Sequence, residues 1–542
     1  MSRPWVGSDG VGQVALLAVD PRDLLPAGHL VWDVLARVGE LDLSVFRAAY
    51  RADGRGHPPY DPAMMLALIL YCRSKKLSSS RQIAAACHDD LGARVITGNR
   101  FPDRSAVDRF LKTHAVALRQ LLVQTLRLGA GQGLVDVAVV AGDGTKILAY
   151  AAMSATVEES QLHAQIAGLQ EQIAATQALW ARQVTSDGIH ESDRNRYGQY
   201  LFDEDVLASD VRQAAITPTS PDQSSPDDSG PVPGGAEKTW RTLQTLRVKL
   251  ARRQEAAAHL VAHPGTALND WAESVAGHER HLVRAQEMLN LTRAELQATA
   301  QRRALAQAQG AKIPGTRPVP VEEHIRIRRL KAAYEATSAR LDKVRAARPT
   351  TTKINTTDPG SRIMPGKHDG FDQRHNVQAL ACKNQFIIAI ATHDSSNDKQ
   401  ALQGLLHTAR ANLDAAAIHD PIKVALFDSG YASEANFSAA LPVDTLLIAV
   451  AKEHRQTAAG PTPTPTAQAW HVMADRLAEP VNHDLYKRRS AIIEPLFAQL
   501  FTRFGRNLTL RGQDVTTELH LWAVTHNLLK ISRHHRTTRP PG

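Results

Sequence analysis

The sequence predicts a mixed α/β core, preceded by a helical module and interrupted by a large helical insertion. Three observations predict this architecture. Residues 62–130 carry helix start signals, strand-like segments occur at 134–150 and again from 374 onward, and residues 155–347 show heptad-like spacing of apolar side chains. At roughly 150 residues per domain, the 542 residues suffice for three to four domains.

The composition excludes several classes of protein. Hydrophobic residues make up 43% of the chain, so it is not wholly disordered. No apolar stretch approaches the ~18–20 residues of a membrane span, and we expect no signal peptide. The three cysteines, Cys72, Cys87 and Cys382, form no CxxC motif, which favours a reducing cytoplasm. An excess of 64 Lys and Arg over 55 acids, a net charge of +9, favours a nucleic-acid partner.

Residues 1–130 are predicted to form an N-terminal helical DNA-binding domain. Asp61 is a candidate N-cap with Pro62 at the first helical position, and Ser78 to Ser80 cap a second helix. Short helices joined by tight turns are typical of helix-turn-helix-like modules, although an ordinary helical bundle with solvated arginines fits the periodicity equally well. The candidate DNA contacts of this domain are Arg81, Arg94, Arg100, Arg104 and Arg109.

Residues 155–349 are predicted to be a helical, coiled-coil-like insertion. Leu162, Ile166, Leu169 and Ile173 follow 4-3-4 spacing, which places them on one helix face. We expect antiparallel hairpins within the chain, with an intermolecular coil as the alternative. Residues 216–238 are rich in Pro, Gly, Ser and Asp and are predicted to be a disordered or mobile loop.

The α/β core is predicted to comprise residues 131–154 and 350–536, followed by a basic tail at 537–542. A β-branched strand leads to Asp143 at its C-terminal end, and the buried strand 422–428 ends in Asp428. Residues 374–382 and 385–394 are predicted to be a hairpin, 398–414 a helix and 444–452 a strand. The helix 485–504 carries Glu494 among apolar neighbours.

Three acids therefore occupy comparable places in the predicted core. Functional groups gather beyond the carboxyl ends of strands in open α/β sheets, so Asp143, Asp428 and Glu494 are candidates to converge. Carboxylates in one pocket repel unless a cation neutralises them, and oxygen ligands favour Mg²⁺ or Mn²⁺. Singly, each acid also has an ordinary structural explanation: a turn residue, a helix N-cap and a solvent-facing glutamate.

Several separate segments carry a family resemblance. They are HPPYDPAMM and its continuation to residue 110, VAGDGTKILA (140–149), INTTDPGSRIM (354–364), HNVQALA (375–381), FDSGYASEANF (427–437) and YKRRSAIIEPLFAQL (486–500). Together they resemble the DDE transposases of bacterial insertion sequences, whose catalytic core is ribonuclease-H-like. The resemblance covers about residues 57–150 and 350–535. It implies that Asp143, Asp428 and Glu494 are catalytic and bind two Mg²⁺ or Mn²⁺ ions.

The resemblance also implies DNA contacts on the helix that carries the glutamate. Tyr486 and Arg489 match the family's tyrosine and arginine and are implied to contact transposon-end DNA. The family has a basic residue about two turns after the glutamate, where this chain has Phe501. Arg503 is the nearest base on the helix and is the candidate phosphate contact.

The implied activity is metal-dependent cleavage of double-stranded DNA at the terminal inverted repeats and joining of the 3′-hydroxyl ends to a target. Pairing of two ends implies a dimer or higher oligomer. We also expect a cytoplasmic, nucleoid-associated location and no membrane partner. Two alternatives stay open. One is a nuclease with the same core that cuts without joining, and the other is a transposase-derived DNA-binding protein without catalysis.

Overall fold

The computed structural model describes residues 21–50, 59–186, 235–263, 266–309, 319–348, 352–366, 370–450, 465–512 and 514–538. The chain divides into two compact units, one formed by residues up to 153 and from 360, the other by residues 154 to 359. Most of the predicted loop at 216–238 lies outside the described residues. Residues 235–238 belong to a helix, so the loop is shorter at that end than predicted.

The first unit begins with seven helices. They are α1 Leu30–Gly39, α2 Ser44–Ala48, α3 Pro62–Ser74, α4 Ser80–Asp89, α5 Leu91–Thr97, α6 Arg104–Thr113 and α7 Ala115–Ala130. Asp61 caps α3 through the Ala63 N–H, with Pro62 at N1, and Ser79 caps α4 in a capping box with Gln82, as predicted. Helices α6 and α7 are separate, because the backbone of His114 leaves the helical conformation.

A mixed six-stranded sheet forms the centre of the first unit. Its strands are β1 Val139–Leu148, β4 Arg362–Pro365, β5 Phe371–Cys382, β6 Ile387–His393, β7 Val424–Phe427 and β8 Thr445–Ile448. The order is β4-β5-β1-β7-β8, and β6 also pairs with β5. β5 runs antiparallel to β1, β4 and β6, whereas β7 is parallel to β1 and β8 is parallel to β7. The predicted mixed α/β class is confirmed.

The strand register decides where the two predicted aspartates lie. Ala141 of β1 pairs with Leu426 of β7, so Asp143 and Asp428 stand at the same level of the sheet. Asp143 was expected to end its strand, but β1 continues to Leu148. The reason is its second neighbour: β7 stops at Phe427, whereas β5 pairs with β1 as far as Leu148.

Helices cover the sheet and join it to the N-terminal helices. They are α12 Ala401–Ala415, α13 Glu434–Ser438, α14 Pro465–Ala478, α15 Pro480–Phe504 and α16 Asp514–Thr538. Side chains of the N-terminal helices, of the sheet and of α15 and α16 form one hydrophobic core, with Trp522 among its largest buried residues. The helix α15, which carries Tyr486, Arg489 and Glu494, packs against β1, β5 and β7.

The second unit consists of long paired helices and a two-stranded sheet. The elements are β2 Thr156–Glu158, α8 Glu159–Ser186, α9 Gly235–Ala262, α10 Thr266–Ala308, α11 Ile325–Ala346 and β3 Lys353–Asn355. α8 pairs with α9 and α10 with α11. Trp180 near the end of α8 contacts Trp240 near the start of α9, so this pair is antiparallel, as the hairpin prediction requires. Leu162 of the predicted stripe is fully buried in the small core of this unit.

Candidate active site

Asp143 is a partly buried carboxylate in the middle of β1. Its Oδ1 accepts a hydrogen bond from the Gly144 N–H at 2.8 Å, and 23% of its side chain is exposed. Burial raises the pKa of Asp143 to about 6, Arg489 opposes that shift, and the negative charge of Asp428 adds to it. The carboxylate therefore carries its charge at neutral pH against an unfavourable environment.

Asp428 follows the last residue of β7 and is more exposed, at 41% of its side chain. Its Oδ1 accepts the Gly430 N–H at 2.9 Å and so caps the short 3₁₀ turn Ser429–Tyr431. The capping role that the sequence left open is present. It engages Oδ1, while Oδ2 is directed toward Arg489.

Arg489 of α15 joins the two aspartates. Its Nη2 lies 3.1 Å from Oδ2 of Asp143 and 3.6 Å from Oδ2 of Asp428. Only 11% of the Arg489 side chain is exposed, and its Nε is buried with no hydrogen-bond partner among the described residues. One oxygen from each aspartate thus lies within reach of a single cationic nitrogen.

Tyr486 holds the same helix against the sheet. Its hydroxyl donates a hydrogen bond to the Phe427 carbonyl at 3.0 Å, at the residue before Asp428. Burial raises the pKa of Tyr486, so the phenol stays protonated and remains a donor. Tyr486 and Arg489, three residues apart on one helix face, therefore fix α15 at the end of β7.

Glu494 lies on α15 but away from this face. It is exposed and makes no hydrogen bond or ion pair among the described residues. Five residues separate it from Arg489, which rotates it by about 140° around an ideal helix, whereas Ile493 continues the buried face. The assignment of Glu494 as the third metal ligand stays a prediction.

A third carboxylate, that of Asp398, lies near Asp143 and was not among the candidates that the sequence predicted. It follows β6, and its charge raises the pKa of Asp143 after the larger effects of burial, Arg489 and Asp428. Its Oδ1 accepts hydrogen bonds from Asn376 Nδ2 at 2.9 Å and Gln378 Nε2 at 2.8 Å. The available signal was Asn376 and Gln378, two polar residues at alternate positions of β5 that flank the apolar Val377.

Arg503 lies in a cluster of basic side chains formed by α15 and α16. Burial and the nearby Arg533 lower the pKa of Arg503, and the same two causes lower the pKa of Lys530. His526 is buried, which lowers its pKa to about 3, so it is neutral. Arg503, Lys530 and Arg533 have no carboxylate partner among the described residues.

The two N-terminal candidates differ in their surroundings. Arg81 is exposed on α4, whereas Arg104 begins α6 and lies 3.5 Å from Asp108 of the next turn. Their assignment as DNA contacts stays a prediction. Among the helices within the described ranges, none combines the length and the apolar character that crossing a bilayer requires.

Comparison with known proteins gives one match. Residues 19–113 match a family described as Transposase domain (DUF772); the match covers helices α1 to α6 and leaves α7 and the sheet outside. No curated protein and no solved structure matches the chain. The match covers less than a fifth of the chain and shows that this segment is similar to a transposase domain.

Proposed function

We propose that this protein is a DDE transposase that binds the terminal inverted repeats of an insertion sequence, cleaves the DNA and joins the ends to a target. The main observation behind the proposal is that Asp143 and Asp428 converge on one cationic nitrogen at the carboxyl end of β7. The transposase domain at residues 19–113 supplies independent support from another part of the chain.

The sheet supports a ribonuclease-H-like core. Along the chain, β1 with Asp143 is followed by the antiparallel strands β5 and β6, the helix α12, β7 before Asp428, and β8. The glutamate helix α15 follows and packs on β1, β5 and β7. This is the element order that the resemblance implies, with the helical unit of residues 154–359 inserted after β1.

The residues at the site fit a divalent cation. Asp143 and Asp428 offer hard oxygen donors that already share one positive partner, and such donors suit Mg²⁺ or Mn²⁺. We propose two ions held by Asp143 and Asp428; Glu494, the third ligand that the resemblance implies, lies away from this pair on α15 in the structure. When bound, they lower the pKa of the attacking hydroxyl or water and stabilise the leaving oxygen of a phosphodiester.

The side chains around the aspartates have separate tasks in this proposal. Asp143 is ionised at neutral pH although burial and Asp428 raise its pKa, so a cation that relieves this charge binds favourably. Arg489 offsets part of the negative charge of the pair and, in the DNA complex, donates to a phosphate as Arg side chains do readily. Tyr486 keeps α15 at the end of β7, which holds Arg489 over the site.

The basic cluster of α15 and α16 supplies a surface for the DNA backbone. Arg503 with Lys530 and Arg533 is positioned for phosphate oxygens, and Arg81 and Arg104 are proposed as contacts of the N-terminal helices. Each phosphate contact contributes to a salt-dependent affinity through counterion release. Synapsis of two DNA ends requires at least a dimer, and the proposed location is the cytoplasmic nucleoid.

The test uses the DNA that flanks the reading frame as substrate for the full-length protein. Asp143→Asn, Asp428→Asn and Glu494→Gln should each lower Mg²⁺-dependent cleavage by about 10³-fold or more, since metal-bound charge stabilisation is worth several kcal/mol. End binding in a mobility-shift assay should persist. The matched control, Asp420→Asn, removes an exposed carboxylate near the other end of β7 and should cleave normally.

The outcomes separate the alternatives. Full cleavage by any of the three variants rejects that residue as a ligand. A wild type that cleaves but does not join pre-cleaved ends is a nuclease, and one that binds without Mg²⁺-dependent nicking is a DNA-binding protein only.

A further inference from the structure

Asp398 lies against both chain segments that carry the predicted catalytic aspartates. A Cβ atom built on Gly144, the residue after Asp143, would lie only 2.7 Å from Oδ1 of Asp398. A Cβ atom on Gly430, two residues after Asp428, would lie 3.4 Å from Oδ2 of Asp398. Gly144 therefore leaves space that the Asp398 carboxylate and Gln378 occupy, and Asp398 lies close to both segments at once.

Two buried amides fix the orientation of the carboxylate. Nδ2 of Asn376 and Nε2 of Gln378 both donate to Oδ1, at 2.9 and 2.8 Å. Gln378 Nε2 also donates to Asn376 Oδ1 at 2.9 Å, and both amide side chains are almost fully buried. An ionised carboxylate only accepts hydrogen bonds, so it matches these donors without a competing orientation.

The same network reaches the turn at Asp428. The hydroxyl of Tyr431 donates to Oε1 of Gln378, and Tyr431 is fully buried at the end of the turn that Asp428 caps. Burial, reinforced by the charge of Asp398, raises the pKa of Tyr431 far above its ordinary value, so the hydroxyl stays a donor. Asp398, Gln378 and Tyr431 thus connect β5 to the turn after β7.

We infer that Asp398 is a positioning residue of the proposed metal site, which holds the Asp143 strand and the Asp428 turn in the geometry needed to share a cation. The inference rests on the proposed function. It assigns the effect of Asp398 to its accepted hydrogen bonds and its packing on Gly144 and Gly430. Groups that orient ligands in this way typically change metal affinity by about 10–100-fold when removed.

The experiment measures Mn²⁺ binding to the full-length protein by isothermal titration calorimetry. Asp398→Ala should weaken Mn²⁺ binding by about 10–100-fold, because Asn376 and Gln378 lose their shared acceptor. Asp398→Asn should stay within about threefold of the wild type, because the amide oxygen still accepts both hydrogen bonds. If Asp398 acts by accepting these hydrogen bonds, Asp398→Asn must keep the Mn²⁺ affinity that Asp398→Ala loses.

Two further variants guard the interpretation. Tyr431→Phe keeps the buried ring but loses the hydrogen bond to Gln378, and it should weaken Mn²⁺ binding by about threefold to tenfold even if Asp398→Ala does not fold. Asp444→Ala removes an exposed carboxylate just before β8 and should bind Mn²⁺ like the wild type. Thermal unfolding of each variant confirms that it is folded during the titration.

The outcomes distinguish this inference from the proposed function. If Asp398→Asn is as defective as Asp398→Ala, the charge itself binds the cation and the positioning role is rejected. Wild-type affinity in Asp398→Ala, or in Tyr431→Phe, also rejects it while leaving the proposed function intact. A wild type that binds no Mn²⁺ rejects the proposed function and this inference together.

Discussion

Two arginines of the first unit differ in the number of carboxylates that they contact. Arg73 of α3 meets one carboxylate, that of Glu518 on α16, and both side chains are fully buried. Arg489 of α15 meets two, Asp143 and Asp428, at the partly exposed edge of the sheet. The first arrangement is balanced in charge, whereas the second has a surplus of negative charge.

The surroundings of Glu518 show what a structural ion pair needs. Its Oε1 accepts from Arg73 Nη1 at 3.0 Å and from the Thr509 hydroxyl at 2.7 Å. Its Oε2 accepts the N–H groups of Thr509 and Leu510, each at 2.8 Å. Both carboxylate oxygens are satisfied, so this pair fixes α3, α16 and the chain before α16 relative to one another.

The aspartate pair lacks such compensation. Asp143 has one backbone hydrogen bond, shares Arg489 with Asp428, and has its pKa raised to about 6. Since perturbed carboxylates with surplus charge cluster at functional sites, the difference between the two arginines supports the proposed metal site at Asp143 and Asp428.

Breaking the balanced pair should have the largest effect on stability. Arg73→Met leaves Glu518 charged and buried, which should lower the free energy of unfolding by about 3–5 kcal/mol. Urea denaturation followed by circular dichroism measures the change.

The control for that prediction is the double variant Arg73→Met with Glu518→Gln. It removes both charges and should recover part of the loss, because no uncompensated charge is left buried at residue 518. A loss below about 1 kcal/mol in Arg73→Met would contradict the stabilising role of the Arg73–Glu518 pair.

Removing the surplus charge should act in the opposite direction. Asp143→Asn should raise the free energy of unfolding by about 1–3 kcal/mol at pH 7.5 in EDTA, since a pKa unit corresponds to about 1.4 kcal/mol and partial exposure reduces the effect. The folded-state pKa of Asp143 is raised, so its protonated form is favoured by folding. The wild type therefore loses stability as the pH rises from about 4 through 6, and below pH 4 the variant gains nothing.

Asp484→Asn is the control with the reverse sign. A hydrogen bond from Lys487 lowers the pKa of Asp484, so its ionised form is favoured by folding and the variant should not gain stability at neutral pH. If Asp143→Asn and the wild type were equally stable between pH 4 and 8, Asp143 and Asp428 would not carry a destabilising surplus of negative charge.

An exposed pair in the second unit should show the smallest effect. Arg345 lies 2.7 Å from Glu279, with about half of each side chain exposed. Arg345→Gln should change the free energy of unfolding of this unit by about 0–1 kcal/mol, because solvent screens exposed pairs. Thermal unfolding at low and high salt measures it, and a larger change would mean that charge balance at the surface matters as much as burial.

Local signals were sufficient for several elements of the fold. The Asp61–Pro62 start of α3 and the serine cap of α4 depend on neighbouring residues, so the sequence predicted both correctly. The strands near 374–394 and at Val424–Phe427 follow from β-branched and apolar runs. The course of β1 beyond Asp143 was missed, because it depends on pairing with a strand more than 200 residues away.

The candidate site divides in the same way. The segments around Asp143, Asp428 and Arg489 predicted them as candidate site residues. The ion pairs between them could not be predicted from the sequence. The residues around Asp398 did not distinguish it, since an aspartate three residues before a helix is common. Its significance arises from Gly144, Gln378 and Gly430, which come from three other parts of the chain.

The sequence by itself determined the residue types available for chemistry, the helix starts and the alternation of helical and strand segments, because these depend on neighbouring side chains and backbone preferences. Only the tertiary structure decided which charges are balanced and which are left in surplus. Coulomb interactions and desolvation depend on distance and burial in space, and neither quantity is written in the order of residues.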